Sequence, residues 1–307
     1  MGTPKRSWEG RASSKEKLTA ARNGAGQTEP PCESDAAGRT AFGSGRPDAP
    51  PRTMRRHLPS NKNVHYLDRK GGTIPSVDPT HPEGKLSAKP LIIVCAGGFG
   101  RETAAAVQAD DRWELLGFAD DDPALRGRAV DGVSVLGSPE EAIGEAPEAH
   151  LVVCQAGPSS GLRRALVSRL RLPPERYATI VHPTAWLAGS ASIGPGTVVL
   201  AGVVATSTIE IGSHVAIMPG VVITHDDIVE DYATLAAGVR LGGGVRIGSG
   251  AYLGAGALLR DGITVGAGAV VGMGAVVTRS VPPGEIWFGT PARARGVATE
   301  PARLPPA

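Results

Sequence analysis

Hydrophobic residues recur every six positions between residues 185 and 280. From Ala185 onward this region divides into sixteen hexads without an insertion, and the third residue of every hexad is apolar, from Leu187 to Val277. An amphipathic helix has a period of about 3.6 residues, so the pattern excludes one. A six-residue period is typical of a parallel β-helix, in which three hexads form one coil. We therefore predict about five coils, with every third hexad stacked at the strand spacing of about 4.8 Å.

The repeat departs from its own rule in the segment VVITHDDIVEDY (221–232). The first hexad position is Ala, Val, Ile or Thr everywhere except at Asp227, and the usually small fifth position is His225. A charge at an inward position costs free energy unless it is paired or used. We therefore predict a functional site at His225, Asp226 and Asp227, against the alternative of a solvated corner with a structural histidine.

Upstream of the repeat, apolar β-branched runs alternate with helical stretches. The segment KPLIIVCAGGFGRETAAAVQ combines a strand, a glycine turn and an Ala-rich helix, as at the start of a nucleotide-binding β–α unit. The strand candidates WELLGFADDD, GVSVLG and HLVVCQA follow, with the helix candidates SPEEAIGEA and SSGLRRALVSRLRL between and after them. We predict a small doubly wound α/β domain over residues 89–178.

The glycine turn itself gives a weak signal for a dinucleotide. Gly97, Gly98 and Gly100 form G-G-x-G, which is only part of the NAD fingerprint. The turn provides close backbone approach and a helix N-terminus, which suit a phosphate, although a simple tight turn would also explain these glycines. The acidic end of the second strand, Asp120 to Asp122, lies about twenty residues further on, where such folds place a ribose-binding carboxylate.

Composition adds a further segment at the N-terminus. Residues 1–88 are rich in Pro, Gly, Ser and charge and carry a net charge of +6, whereas the whole chain carries +2. We expect a disordered tail there, solvated rather than bound to nucleic acid or membrane, with Met54 as an alternative start. A second short tail is expected at 297–307.

No apolar run approaches the length of a membrane span, and no apolar segment follows the basic N-terminus. We therefore expect a cytoplasmic protein without membrane insertion. The three cysteines, Cys32, Cys95 and Cys154, are widely spaced and form no CxxC. This spacing indicates reduced thiols rather than a disulfide framework or a thiolate zinc site.

These motifs resemble those of the hexapeptide-repeat sugar acetyltransferases of the NeuD/PglD type, which modify sialic acid or UDP-4-amino sugars. IIVCAGGFGRE, GFADDD, VLGS, HPTA, THDDIVEDY, GGGVRIGSGAYLGAG and GTPAR occur in the family's order and spacing across about 90–296. The resemblance implies a Rossmann-like sugar-nucleotide-binding α/β domain over 89–178 and an all-β, left-handed parallel β-helix acyltransferase domain over 179–296. It also implies a homotrimer, with acetyl-CoA in the groove between adjacent β-helices.

The activity implied is transfer of an acetyl group from acetyl-CoA, without a metal, to an amine or hydroxyl of a nucleotide-linked sugar for surface glycan synthesis. In this resemblance His225 is the general base and Asp226 raises its basicity. Gly243, on the next coil, offers its N–H to the thioester carbonyl, and Ala255 and Met273 line the CoA arm.

The resemblance assigns six residues to the sugar nucleotide: Gly97, Gly98, Phe99, Asp120, Asp121 and Gly137. Two positions depart from the family. Phe99 stands where a histidine is usual, and Thr234, expected at the cofactor, replaces a frequent second histidine near the thioester. These departures leave the identity of the sugar open.

Several other functions share parts of this pattern. A γ-type carbonic anhydrase has the β-helix but needs three histidines around zinc, and the repeat holds only His214 and His225. His214 and His182 are expected to be structural. Serine- or maltose-type acetyltransferases lack the α/β domain. A non-catalytic sugar-nucleotide-binding scaffold, favoured by Phe99 and Thr234, and an acyltransferase with a non-sugar acceptor remain alternatives.

Overall fold

The computed structural model describes residues 88–157 and 160–298. The predicted tail at 1–88, with Cys32 and Met54, lies outside the described residues except for Ala88, and so does most of the predicted tail at 297–307. Within these described ranges, no helix is long and apolar enough to cross a membrane.

The α/β domain is a three-stranded parallel sheet with helices. Its strands stand in the order β2 (Trp113–Ala119), β1 (Lys89–Val94), β5 (His150–Val153), and the run Leu91 to Val94 of the central strand is at most 1% exposed. Such burial on both faces is usual for a parallel sheet. The elements in chain order are β1 (Lys89–Val94), α1 (Gly98–Gln108), β2 (Trp113–Ala119), β3 (Ala129–Val130), β4 (Val133–Ser134), α2 (Pro139–Glu145), β5 (His150–Val153), α3 (Ser160–Leu170) and a 3-10 turn (Pro174–Arg176).

The segment GVSVLG, predicted as a strand, joins the main sheet only at its end. It forms the two-residue β4, which pairs antiparallel with β3, and it then meets β2 through the bridge from Val135 to Phe118 and the backbone hydrogen bonds from Leu136 N to the Phe118 carbonyl and from Asp120 N to the Gly137 carbonyl. The cause of the antiparallel pairing is the turn between β3 and β4, where Asp131 and Gly132 both have positive φ angles of 48° and 81°. Two such residues make the tight hairpin turn that folds this segment back on itself.

The β-helix confirms the hexad prediction. Each of the sixteen hexads gives one two-residue strand, formed by its second and third residues, and each strand pairs in parallel with the strand three hexads away. The strands are β7 (Trp186–Leu187), β8 (Ser192–Ile193), β9 (Val198–Val199), β10 (Val204–Ala205), β11 (Glu210–Ile211), β12 (Ala216–Ile217), β13 (Val222–Ile223), β14 (Ile228–Val229), β15 (Thr234–Leu235), β16 (Arg240–Leu241), β17 (Arg246–Ile247), β18 (Tyr252–Leu253), β19 (Leu258–Leu259), β20 (Thr264–Val265), β21 (Val270–Val271) and β22 (Val276–Val277).

Three further strands lie outside the hexads: β6 (Ile180–Val181), β23 (Glu285–Phe288) and β24 (Arg293–Val297). They extend the β-helix to about six coils, one more than predicted. Together the strands form a six-stranded sheet (β7 to β22), a five-stranded sheet (β8 to β20) and an eight-stranded sheet (β6 to β24). The last strand, β24, runs through Val297, one residue beyond the predicted end of the domain at 296.

The three sheets form the sides of a prism, and its corners carry the fifth and sixth hexad residues. The first and third residues point inward and form the core; Val199, Leu235 and Val271, for example, are fully buried. The corner between the six- and five-stranded sheets is called the His225 corner below. The corner between the eight- and six-stranded sheets is called the Met273 corner.

Two outward faces of the prism differ in character. The α/β domain covers part of the eight-stranded sheet, where Val198 and Ala216 are 1% exposed and pack in one cluster with Phe99. The six-stranded sheet is left open although its outward residues are mostly apolar, and Trp186 and Leu258 are 48% and 42% exposed. An open apolar face of this kind indicates a surface for association.

Candidate active site

His225 and Asp226 stand together on the turn between β13 and β14. Asp226 occupies the sixth hexad position, where most coils have glycine, and adopts a positive φ of 63°. This backbone turns its carboxylate to the neighbouring ring, so that Nδ1 of His225 lies 2.9 Å from Oδ2 of Asp226. Both side chains are largely exposed, at 67% and 63%. The pair is therefore preformed and open to a ligand.

Asp226 also sets the charge preference of the histidine. Its hydrogen bond raises the pKa of His225, and its negative charge adds to this effect. Because Asp226 holds Nδ1, the second ring nitrogen, Nε2, is left for a reacting group. His225 thereby has the arrangement expected of a general base.

Gly243 lies directly against the ring of His225, one coil further along the corner. A Cβ at Gly243 would come within 3.0 Å of Cδ2 of the imidazole and closer still to Cε1 and Nε2. Gly244 N donates to the His225 carbonyl at 2.9 Å, which fixes the two coils in register. Within the described residues the Gly243 N–H donates no hydrogen bond. A free amide and a free imidazole nitrogen thus share one small space.

Asp227 is buried and serves the backbone rather than the histidine. Its side chain is 0% exposed, and its two oxygens accept from the N–H groups of Thr224 at 2.8 Å and Val245 at 2.7 Å. Burial raises its pKa to about 6, an effect that these two bonds oppose. Thr197, another polar first-position residue, accepts from the Val215 N–H in the same way. Of the predicted trio, only Asp226 contacts the His225 ring.

Ala255 and Met273 lie at the Met273 corner. They are stacked one coil apart, with Gly274 N donating to the Ala255 carbonyl at 2.8 Å, and the Met273 side chain is 80% exposed. Within one chain, the width of the six-stranded sheet separates this corner from His225. The structure therefore does not bring the predicted CoA-arm residues and the predicted base together in a single chain.

Thr234 is not at either corner. It lies on β15 in the eight-stranded sheet, its side chain is 0% exposed, and its Oγ1 accepts from the Arg163 guanidinium at 3.0 Å. A side chain covered in this way has no surface left for a cofactor, so Thr234 lacks the exposure that direct contact with CoA would require. Its partner, Arg163, was not identified from the sequence.

A cleft of about 370 Å³ lies between the α/β domain and the eight-stranded sheet. Its lining is Gly97, Gly98, Phe99, Cys154, Gln155, Ala156, Gly157, Met218 and Tyr252. The first three of these begin α1 and the next four follow β5, so the cleft opens at the carboxyl ends of β1 and β5. In open α/β sheets ligands bind in the crevice outside the carboxyl ends of the strands, where the strand order reverses.

The other predicted nucleotide contacts lie at the end of β2, outside the lining of this cleft. Asp120 accepts from the N–H groups of Ala96 at 2.8 Å and Asp122 at 3.0 Å, and its own N–H donates to the Gly137 carbonyl. Asp121 forms a two-point ion pair with Arg169, both contacts being 2.9 Å. Both carboxylates thus already have protein partners.

Six residues of the cleft lining were not identified from the sequence: Cys154, Gln155, Ala156, Gly157, Met218 and Tyr252. Met218 and Tyr252 were missed because both occupy ordinary outward positions of the repeat. Arg163 left a trace in the sequence: in α3 it precedes the buried Leu166 and Leu170 by three and seven residues, on one helical face. A charged residue on an apolar helical face was the available signal. It was overlooked because SSGLRRALVSRLRL contains several arginines.

The remaining histidine of the repeat and the thiols are enclosed. His214 stacks on Tyr232 and meets the edge of Tyr177, and burial lowers its pKa to about 4. It lies at the corner between the five- and eight-stranded sheets, away from His225, which removes the arrangement that a carbonic anhydrase would need. Cys95 and Cys154 are free, and burial raises the pKa of both to about 12. No group of three His, Cys, Asp or Glu side chains in residues 88–157 and 160–298 could hold a metal ion.

Two family models match the chain. The PglD N-terminal domain matches residues 90–170, and the bacterial transferase hexapeptide (six repeats) matches residues 244–279. No curated protein sequence matches it.

Several solved structures share both domains. WeeI from Acinetobacter baumannii AYE is 31% identical, with a TM-score of 0.59, and the match covers 68% of this chain and 100% of WeeI. A mutant perosamine N-acetyltransferase from Caulobacter crescentus, in complex with CoA and GDP-perosamine, is 29% identical, with a TM-score of 0.62 and coverage of 69% and 100%. The acetyltransferase domain of PglB from Neisseria gonorrhoeae FA1090, in complex with acetyl coenzyme A, is 27% identical, with a TM-score of 0.60 and coverage of 68% and 100%.

The α/β domain, the β-helix and their order are common to this chain and these enzymes, over the whole length of each relative. The chain is therefore an acyltransferase and belongs to the PglD-type sugar acetyltransferases of the left-handed β-helix family.

Proposed function

We propose that the protein transfers the acetyl group of acetyl-CoA to the amino group of a nucleotide-linked sugar, with His225 as the general base. The observation that carries this proposal is the position of Gly243 directly against the Asp226-bonded imidazole, with a Gly243 N–H that donates no hydrogen bond within the described residues. The Caulobacter and Neisseria structures, which hold CoA with GDP-perosamine and acetyl coenzyme A, support the choice of substrates.

In the reaction, the amine nitrogen attacks the thioester carbonyl carbon, and its proton passes to Nε2 of His225 as the C–N bond forms. Asp226 holds the opposite ring nitrogen and stabilises the imidazolium. The carbonyl oxygen becomes negative and accepts from the Gly243 N–H, an interaction that is worth roughly 3 kcal/mol in comparable sites. When the C–S bond breaks, the imidazolium returns the proton to the CoA sulfur.

The acceptor is proposed to bind in the cleft of about 370 Å³, with its nucleotide at Gly97, Gly98 and Phe99. Asp120, Asp121 and Gly137 stay predicted contacts of the sugar nucleotide, and Asp121 would meet it with a carboxylate that is already paired with Arg169 and is 49% exposed. The CoA arm is proposed to follow the Met273 corner past Ala255.

A complete site then needs two chains, because the six-stranded sheet separates His225 from the Met273 corner within one. The exposed apolar face of that sheet supports such an assembly. Trp186 and Leu258 are exposed on it, and a second copy would cover them. We propose a homotrimer in which the His225 corner of one copy faces the Met273 corner of the next. The molar mass in solution, measured by light scattering, tests this: a monomer at working concentration would contradict it.

The test of the base is release of free CoA thiol from acetyl-CoA in the presence of GDP- and UDP-linked amino sugars. We expect His225→Ala to lower turnover by about 10²-fold or more, the contribution of a positioned general base, while the affinity for acetyl-CoA stays unchanged. His182→Ala is the matched control, because within the described residues the His182 side chain bonds only to Thr184 and lies away from the His225 corner. Near-normal turnover of His225→Ala would remove His225 from the role of base, and a wild type that binds the sugars without thiol release would favour the scaffold function.

A further inference from the structure

Arg163 is among the largest fully buried side chains of the described residues, with 1% of its surface exposed. It extends from α3 into the boundary between the two domains. Its guanidinium donates to the carbonyl oxygens of Gln155 at 2.5 Å, Tyr232 at 2.7 Å and Ala233 at 3.0 Å, and to Oγ1 of Thr234 at 3.0 Å. One side chain thus bonds to both domains.

The charge of Arg163 is not explained by packing. All four acceptors are neutral, and within the described residues its Nε donates no hydrogen bond. Burial lowers its pKa to about 10, which still leaves the group charged at neutral pH. A buried charge is costly unless its hydrogen bonds are used, so what distinguishes Arg163 is the connection that it makes between its acceptors.

The bonds of Arg163 connect the two walls of the cleft. Gln155 lines the cleft from the α/β domain. On the opposite side Tyr252 lines it from the β-helix, and Tyr252 is the ladder partner of Thr234 on the adjacent strand. The guanidinium therefore fixes Gln155 relative to the strand on which Tyr252 is stacked, and with it the width of the cleft.

Arg164, the next residue, makes a comparable connection without reaching the cleft. Its Nη2 donates to Oγ of Ser249 at 2.7 Å, and its guanidinium lies 4.6 Å from the centre of the Tyr232 ring. Arg164 is exposed, and Ser249 is not in the cleft lining. Arg164 also joins α3 to the β-helix. A variant of Arg164 therefore tests the effect of weaker contact between the domains without a change in the lining of the cleft.

We propose that Arg163 is a positioning residue for the acceptor: by holding Gln155 and the Thr234–Tyr252 pair in place, it sets the affinity for the nucleotide-linked sugar and leaves that for acetyl-CoA unchanged. This rests on the proposed function, in which the cleft holds the sugar nucleotide.

The experiment measures the dissociation constants of UDP, GDP and CoA by calorimetry for the wild type, Arg163→Met and Arg164→Met. We expect Arg163→Met to weaken binding of the preferred nucleotide by about tenfold or more and to change CoA binding by less than about twofold. Arg164→Met is expected to change neither by more than about twofold. Because no turnover is involved, a failure of His225 as the base leaves this test unaffected.

Three results would overturn the proposal. They are a folded Arg163→Met with nucleotide binding like that of the wild type, an equal loss of nucleotide and CoA binding, and a wild type that binds neither UDP nor GDP. Should Arg163→Met not fold, Arg163→Lys decides, since one ammonium group cannot reach both walls. We expect it to weaken nucleotide binding by about threefold or more; unchanged binding, or a second failure to fold, means that Arg163 serves the fold alone.

Discussion

Replacing Gly243 by alanine places one methyl group into the space that the imidazole of His225 occupies. The new Cβ would lie within 3.0 Å of Cδ2 of His225 and closer to Cε1 and Nε2, whereas ordinary contacts are 3.4–4 Å. Gly243 has no positive φ angle, so alanine fits the backbone and the whole conflict falls on the ring. Because the imidazole is 67% exposed, it can turn away by about 1 Å or more without disturbing the core.

The expected consequence is loss of turnover without loss of stability. A misplacement of about 1 Å in a reacting group can cost about 10²-fold in rate. We therefore expect Gly243→Ala to lower kcat by about 10²-fold, while its melting temperature stays within about 2 °C of the wild type. Thiol release and differential scanning fluorimetry measure the two quantities.

Gly144→Ala is the control, because it adds the same methyl group to open space on α2. The reasoning is refuted if Gly243→Ala retains wild-type turnover, since His225 would then act from a position that the methyl group does not reach. A large fall in melting temperature would also refute it, because the strain would then lie in the backbone and not in the ring.

The two aspartates should separate activity from stability. Asp226→Asn removes the carboxylate that raises the pKa of His225. Because the base must be neutral to act, the acid limb of the kcat/KM profile should move to lower pH, with a lower plateau. A pH profile whose acid limb does not move would contradict the pairing of Asp226 with His225. Asp227→Asn offers one acceptor to two N–H donors, Thr224 and Val245, so we expect a loss of about 1–3 kcal/mol in the free energy of unfolding. Denaturant unfolding measures it, Asp226→Asn being the control with stability near that of the wild type.

Periodicity predicted the β-helix well because the same requirement acts along the whole repeat: the first and third residues of each hexad must be apolar and stack inward. The predicted number of coils was one too low, because Ile180–Val181 and Glu285–Phe288 join the sheets outside the regular hexads. The sequence also predicted the inward position of Asp227 but not its partners, because a carboxylate beside a histidine can turn to the ring or to the backbone. The burial of Thr234 depends on how α3, with Arg163, packs against the β-helix, and no local sequence pattern predicts that contact.

Because each strand pairs with the strand three hexads away, this fold can be lengthened only by whole coils of three hexads. An insertion of one hexad between His225 and Gly243 would move every later residue on by one side of the prism. The Gly243 amide would then lie at a different corner from His225. An insertion of three hexads beyond Gly243 would keep all edges aligned and raise the C-terminal end by one strand spacing, about 4.8 Å. Length variation among natural or engineered versions of this enzyme should therefore come in whole coils, or be confined to loops that leave the prism and return at the same point.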